Sequence, residues 1–337
     1  MNSKRFFAIA VLALLVALFS AAVAYAGLVQ SEQLSMPEAD GTGWSSGWVD
    51  IAPGQVVTLT HNLGADPALY SVDLWFRDAD AGGLGINHRG FGGIEAGGHF
   101  YGAVWKRLTA SQIEVERLAD DTFADQILVR MWTPDPPVYD SGWQNIAVGH
   151  NLVLTHNLGG NVDDYTVGMK FNDLRPQGAG INLVAAGGFE IAGQIRGAAW
   201  SNLTDTTVNV LRFANDPFAG QVRIFIYRAD PPDYDSGWAS IAPGETITLP
   251  HGLRFLPTAY VVRMSARGTT WGDNAMYVGG YEVGGQYFGS NWQGLTRTGI
   301  EVFRQPDDGV VHTADEVRVR IWVNTFDLYL PLVGRGV

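Results

Sequence analysis

Between Gln55 and His61 the chain alternates: Val57 and Leu59 fall on one side, Thr58 and Thr60 on the other. A side-chain period of two belongs to a strand with one buried face. The pattern stops at Asn62-Leu63-Gly64, where asparagine and glycine tolerate a left-handed backbone, so a turn is expected there. Comparable runs follow at 69–76, 99–105, 113–118 and 126–132, and with the leading 46–51 they predict six strands. Nothing between them shows a capped apolar period of 3.6, which limits helices to a turn or two. The expected fold is all-β: a small antiparallel β-sandwich or barrel whose two sheets cover one another.

The pattern is then repeated. "SGWVDIAPGQVVTLTHNLG", starting at Ser46, returns at Ser141 as "SGWQNIAVGHNLVLTHNLGG" and at Ser236 as "SGWASIAPGETITLPHGL". Trp48, Trp143 and Trp238 stand 95 residues apart, and His61, His156 and His251 keep the same step. That period is too long for a solenoid unit and matches a small domain that folds alone. Three tandem β-sandwich modules of about 90 residues are expected at 45–133, 140–228 and 235–324. The joints "TPDPPVYD" (133–140) and "RADPPDYD" (228–235) favour stiff polyproline spacing.

Lys4 and Arg5 precede an apolar run over 6–23 and the small residues "AYA" at 24–26, the pattern of a signal peptide over 1–26. An uncleaved anchor is the competing reading, because the run is nearly long enough to span a bilayer. A polar, flexible leader is expected at 27–44 and a tail at 325–337, the latter either an edge strand or like the short "YLPLV" tails of some exported bacterial proteins. The expected location is secreted or at the cell surface, with no stable membrane insertion after cleavage. The 337 residues carry a net charge of -12, which repels phosphate backbones and argues against nucleic acid and anionic membranes as partners. With no cysteine, each module is held by its core alone. The 42 glycines, 12% aromatics and 17% charged residues suit short strands and tight turns.

Several polar residues recur in all three copies: Asn87, Asn182 and Asn274; Glu95, Glu190 and Glu282; Arg117, Arg212 and Arg304; Asp121, Asp216 and Asp308. Trp105, Trp200 and Trp292 recur beside them. Two readings stand side by side. In one, Glu and Arg form structural ion pairs, Asn and Asp close turns, and Trp fills the sandwich. In the other, these residues line a polar ligand site with an aromatic floor, which is how sugars are held. One histidine per copy, with no second His or Cys at ligand spacing, falls short of zinc, and no metal cofactor is expected. Calcium is a weaker alternative at the acidic loops of Asp78 and Asp80, Asp120 and Asp121, and Asp307 and Asp308. The glycine-rich 82–98 lacks the setting of a nucleotide loop and reads as a surface loop entering a strand. "GxSxG", "HExxH" and phosphate-loop patterns are absent, so catalysis is not expected; Glu95 with Asp121 is the one pair a glycosidase reading would use.

The opening "SGW" at Ser46, Ser141 and Ser236, the mid-module Trp at 105, 200 and 292 followed by "LT", and closing strands such as "VRMW" resemble the H-type lectin domain. The resemblance implies a six-stranded antiparallel sandwich, trimeric assembly, and binding of N-acetylgalactosamine or galactose near protomer boundaries. The residues after those tryptophans, Lys106, Ser201 and Gln293, depart from the histidine often found in the family's sugar site. Contacts beyond the tryptophans therefore rest on the internal repeat. The expected function is multivalent carbohydrate binding or adhesion without catalysis, with glycans or glycosylated surfaces as partners. The three linked modules would imitate the family trimer as an intrachain pseudo-trimer. A structural component of a cell-surface layer or filament is the alternative, and a carbohydrate-active enzyme a more distant one.

Overall fold

Side-chain alternation in the first copy becomes nine short strands: β1 Gly43–Asp50, β2 Val56–Thr60, β3 Ser71–Asp78, β4 Gly85–Asn87, β5 Ile94–Ala96, β6 His99–Tyr101, β7 Ala103–Lys106, β8 Gln112–Arg117 and β9 Gln126–Trp132. The computed structural model describes residues 43–134, 136–228 and 231–323. The expected signal peptide, most of the leader, the tail and parts of both joints lie outside the described residues.

The chain is all-β and its sheets are antiparallel. One sheet runs β1-β9-β3-β4, a second β2-β8-β7, and β5-β6 forms a hairpin. The strand β8 shows why: Ile113 and Val115 are fully buried while Gln112, Glu114 and Glu116 face outward. These two meet Leu74 and Phe76 of β3, Ile127 and Val129 of β9, and Trp105 of β7 in one core. Each such side chain contributes about 1.5–3 kcal/mol on burial, so the two sheets hold one another without disulfides. The same strand order recurs around Tyr165–Asp173 with Gln221–Arg228, and around Tyr260–Gly268 with Glu316–Val323. Helical structure among the described residues is confined to the 3-10 turns Pro67–Leu69, Val162–Asp164 and Pro257–Ala259. No described helix is long and apolar enough to cross a membrane.

One expectation is corrected. The leader does not reach residue 44, because Gly43 and Trp44 already belong to β1, paired with Trp132 and Met131. Trp44 lies 6.0 Å from His61, the place Tyr139 and Tyr234 take beside His156 and His251 at 5.7 and 5.8 Å. The glycine-rich 82–98, expected to be a surface loop entering a strand, holds two short strands, β4 and β5, with Asn87 and Ile94 buried.

The described residues of all three copies lie within one compact unit. A four-stranded and a three-stranded sheet each leave edges, and unpaired edges must be covered. Here the neighbouring copies cover the β4 and β7 edges. Trp105 O accepts from Leu183 N (3.3 Å), Trp200 O from Ala275 N (3.0 Å), and Trp292 O from His88 N (3.0 Å), so the third copy returns to the first. The result is a closed ring with approximate threefold symmetry.

Buried cations tie the same boundaries by bonding the 3-10 turns of a neighbour. Arg130 donates to Thr258 O at 2.8 Å, Lys170 to Ala68 O at 2.6 Å, and Arg320 to Asp163 O at 3.3 Å and to Tyr165 O, just past the turn, at 2.9 Å.

Candidate functional site

The fifteen recurring residues separate into three groups. Asn87, Asn182 and Asn274 each donate through Nδ2 to two backbone carbonyls; for Asn87 these are Gly85 O and Phe123 O, both at 3.0 Å. Their Oδ1 atoms accept from the backbone of Arg89, Val184 and Met276. Arg117 donates Nε to Asp121 Oδ2 at 2.8 Å and Nη1 to Ile51 O at 2.8 Å, while Asp121 Oδ1 accepts from Gly102 N at 2.6 Å. Arg212 with Asp216 and Arg304 with Asp308 repeat this clamp. These nine residues stay within their own copies, and their polar groups hold loops to strands.

The tryptophans do come together. Trp105, Trp200 and Trp292 line one cleft of about 240 Å³, shared by all three copies and lying on the axis. Trp105 and Trp292 also sit in module cores, and Trp200 is the least buried of the three. The cleft walls carry equivalent positions such as Val72, Val167 and Val262, so the surroundings repeat. Its polar groups do not. Asp73, Gly168 and Arg263 occupy one repeated position; Trp75, Lys170 and Ser265 another; His88, Leu183 and Ala275 a third.

This broken symmetry sets the electrostatics. Burial pushes the Asp73 carboxyl up, but Arg263 at 2.6 Å and Arg130 at 2.9 Å outweigh it and hold the group below the usual range. His88 lies between the rings of Phe91 (4.1 Å) and Trp292 (5.4 Å), and burial takes it down to about 3, so its imidazole is neutral. Burial also lowers the Lys170 ammonium to about 7 and raises the Tyr227 phenol to about 12. Aromatic faces, one carboxylate and two basic groups therefore line the same opening. Asp73, His88, Lys170 and Arg263 were invisible to a search for recurrence, because they stand where the copies differ.

The glutamates form the third group. β5-β6 meets its counterparts, which start at Phe189–Ile191 and Tyr281–Val283. A collar of backbone bonds runs around the axis just before them: Gly90 N to Gly279 O (2.8 Å), Ala185 N to Gly92 O (2.9 Å) and Tyr277 N to Gly187 O (2.8 Å). The collar needs glycine, since a Cβ on Gly279 would stand 2.7 Å from Phe91 N and O, at a φ of +89°. Glu95, Glu190 and Glu282 follow, 9%, 6% and 5% exposed. Glu95 and Glu282 accept from their own hairpin turns at Gly98 N and Gly285 N, and Glu95 Oε2 also accepts from Ala192 N at 2.9 Å. Burial, then the charges of Glu282 and Glu95, push the Glu190 carboxyl up.

The histidines pack as rings: His61 lies 5.5 Å from Tyr70, its Nδ1 accepting from Leu63 N. Of the acidic loops, Asp78 and Asp80 gather with Asp125, not with Asp120 or Asp121. Their oxygens already accept from Asp80 N, Leu84 N, Ala79 N and Arg117, so backbone and guanidinium groups brace this loop.

Neither the models of known protein families nor the curated proteins compared with it match this chain.

Proposed function

We propose that the chain is an exported, non-catalytic carbohydrate-binding protein whose three copies share one axial cleft. The observation that carries this reading is the combination lining that cleft: tryptophans from different copies, of which Trp200 is the most exposed, beside Asp73, Lys170 and Arg263. Sugar C–H faces pack on indole rings, and hydroxyls pair with carboxylate, amine and guanidinium groups. At about 240 Å³ the cleft is smaller than a drug-sized pocket, which favours one sugar ring over a long oligosaccharide. Because the three boundaries carry different polar residues, one binding position per chain is favoured over three equal ones. Adhesion then comes from many chains on a surface.

The test is a glycan array with residues 27–337, comparing the wild type with Gly168→Leu. A Cβ at Gly168 would stand 3.8 Å from Phe225 and Tyr227, an ordinary contact, so the larger side chain fills the cleft without a backbone clash. The wild type should bind a defined group of glycans and Gly168→Leu should lose them while still melting cooperatively. No glycan bound by the wild type, or an unchanged profile for the variant, would overturn the reading.

A further inference from the structure

We infer that Glu95, Glu190 and Glu282 hold a hydrated divalent cation of the calcium type on the ring axis. The glutamates come from three different copies and are brought together by the hairpins beyond the glycine collar. All three are at least nine-tenths buried. Among the described residues, no Lys, Arg or His forms an ion pair with any of them, although buried carboxylates ordinarily have such a partner.

Two oxygen atoms at this place have nothing to bond. Glu190 Oε2 is buried without a partner, and so is the hydroxyl of Tyr281, a residue only 1% exposed. Tyr281 belongs to the third hairpin, and the charges of Glu190 and Glu282 reach its phenol and push it further up, on top of the effects of burial and Tyr277. Glu282 uses one oxygen on its own turn and accepts no other described hydrogen bond. Buried oxygens without partners, contributed by separate elements beside three carboxylates, call for a group that can bond them. Shared protons would cancel part of the repulsion but would leave net negative charge in a buried place.

The chemistry narrows the ion. Only oxygen donors converge, with neither imidazole nor thiolate, which selects a hard cation. The three carboxylates do not bring one oxygen each within 4.8 Å of one another, so a single bare ion cannot touch all three. Calcium tolerates irregular shells of six to eight oxygens and can complete this one with water. The chain's net charge of -12 raises the local cation concentration further. An affinity of about 0.1–1 mM, that of extracellular calcium modules, is expected.

The experiment uses the mature chain, residues 27–337, dialysed against EDTA and then melted at pH 7.5 with and without calcium chloride. At ten times the dissociation constant, calcium should raise the wild-type melting temperature by about 2–4 °C. Glu190→Gln should abolish that rise. Without calcium this variant should melt at or above the wild type, because it removes one of three repelling charges, which shows that it folds. Asp80→Asn, at the other acidic cluster, should keep the calcium response. A calcium response equal in Glu190→Gln and the wild type would place the ion elsewhere and overturn the inference. Stabilisation of the wild type by acid alone, with none by calcium at pH 7.5, would make the trio a proton-sharing group and overturn it too.

Discussion

Asp73 in the first copy and Arg263 in the third, 190 residues apart in sequence, meet at 2.6 Å across the ring. The other oxygen of Asp73 accepts from Arg130 at 2.9 Å, and Arg130 reaches on to Thr258 O. One carboxylate thus joins two arginines at the seam where the ring closes.

Removing that carboxylate should be costly. Asp73→Ala breaks the buried pairs with Arg130 and Arg263 and removes the carboxylate that separates their charges, a loss of about 3–5 kcal/mol in urea unfolding. The folded-state pKa of Asp73 is depressed, so its contribution is complete above the unfolded value of about 4 and is lost as pH falls through the folded value. The variant should therefore differ from the wild type at pH 7 and converge with it in strong acid. Equal stabilities at pH 7 would show that the seam does not depend on the pair.

Lys170 should behave in the opposite way. Its folded-state pKa, about 7, lies below the unfolded value of about 10.4, so burying it penalises the fold below pH 7 and the penalty fades as pH rises toward 10. Lys170→Met should unfold at higher urea than the wild type at pH 6, and the gap should close by pH 9.5. If Lys170→Met instead unfolded at lower urea than the wild type at pH 6, the bond to Ala68 O would outweigh desolvation.

Gly279→Ala should destabilise the ring by about 2–5 kcal/mol, combining a strained left-handed backbone with a clash against Phe91. Gly284→Ala, at a φ of +58° with open space around it, should cost about 1–2 kcal/mol. Thermal melts of the two variants separate crowding from backbone strain.

Residues 139–228 alone should lack a stable folded monomer. Their edge at Trp200 and their collar at Gly187 both bond the third copy, and Lys170 would lose Ala68. Sedimentation of the fragment should show an unfolded chain or self-association. A stable folded monomer would mean that the cross-copy bonds are dispensable.

Much of the fold could be read from Val57, Leu59 and the other alternating pairs, because one buried face imposes its period directly. β4 and β5 were harder, being three residues long within glycines, with partners that are distant in sequence. For the site, recurrence drew attention to Asn87, Arg117 and Asp121, which every copy needs to hold its own loops. It also marked the tryptophans and the glutamates, though not their convergence, since that arises only when the ring closes. Asp73, Lys170 and Arg263 escaped because each occurs in one copy alone.

Three identical subunits around an axis must present every residue three times, so a single carboxylate there would face two duplicates of itself. A continuous chain is free of that rule. With Asp73, Gly168 and Arg263 at corresponding positions, a carboxylate and a guanidinium pair across one boundary while the third position has no side chain, so the three walls of the opening differ. A small guest turned by a third of a revolution would meet a different wall. A continuous chain can therefore set three unlike walls around one axis, a sense of direction that a symmetric assembly cannot have.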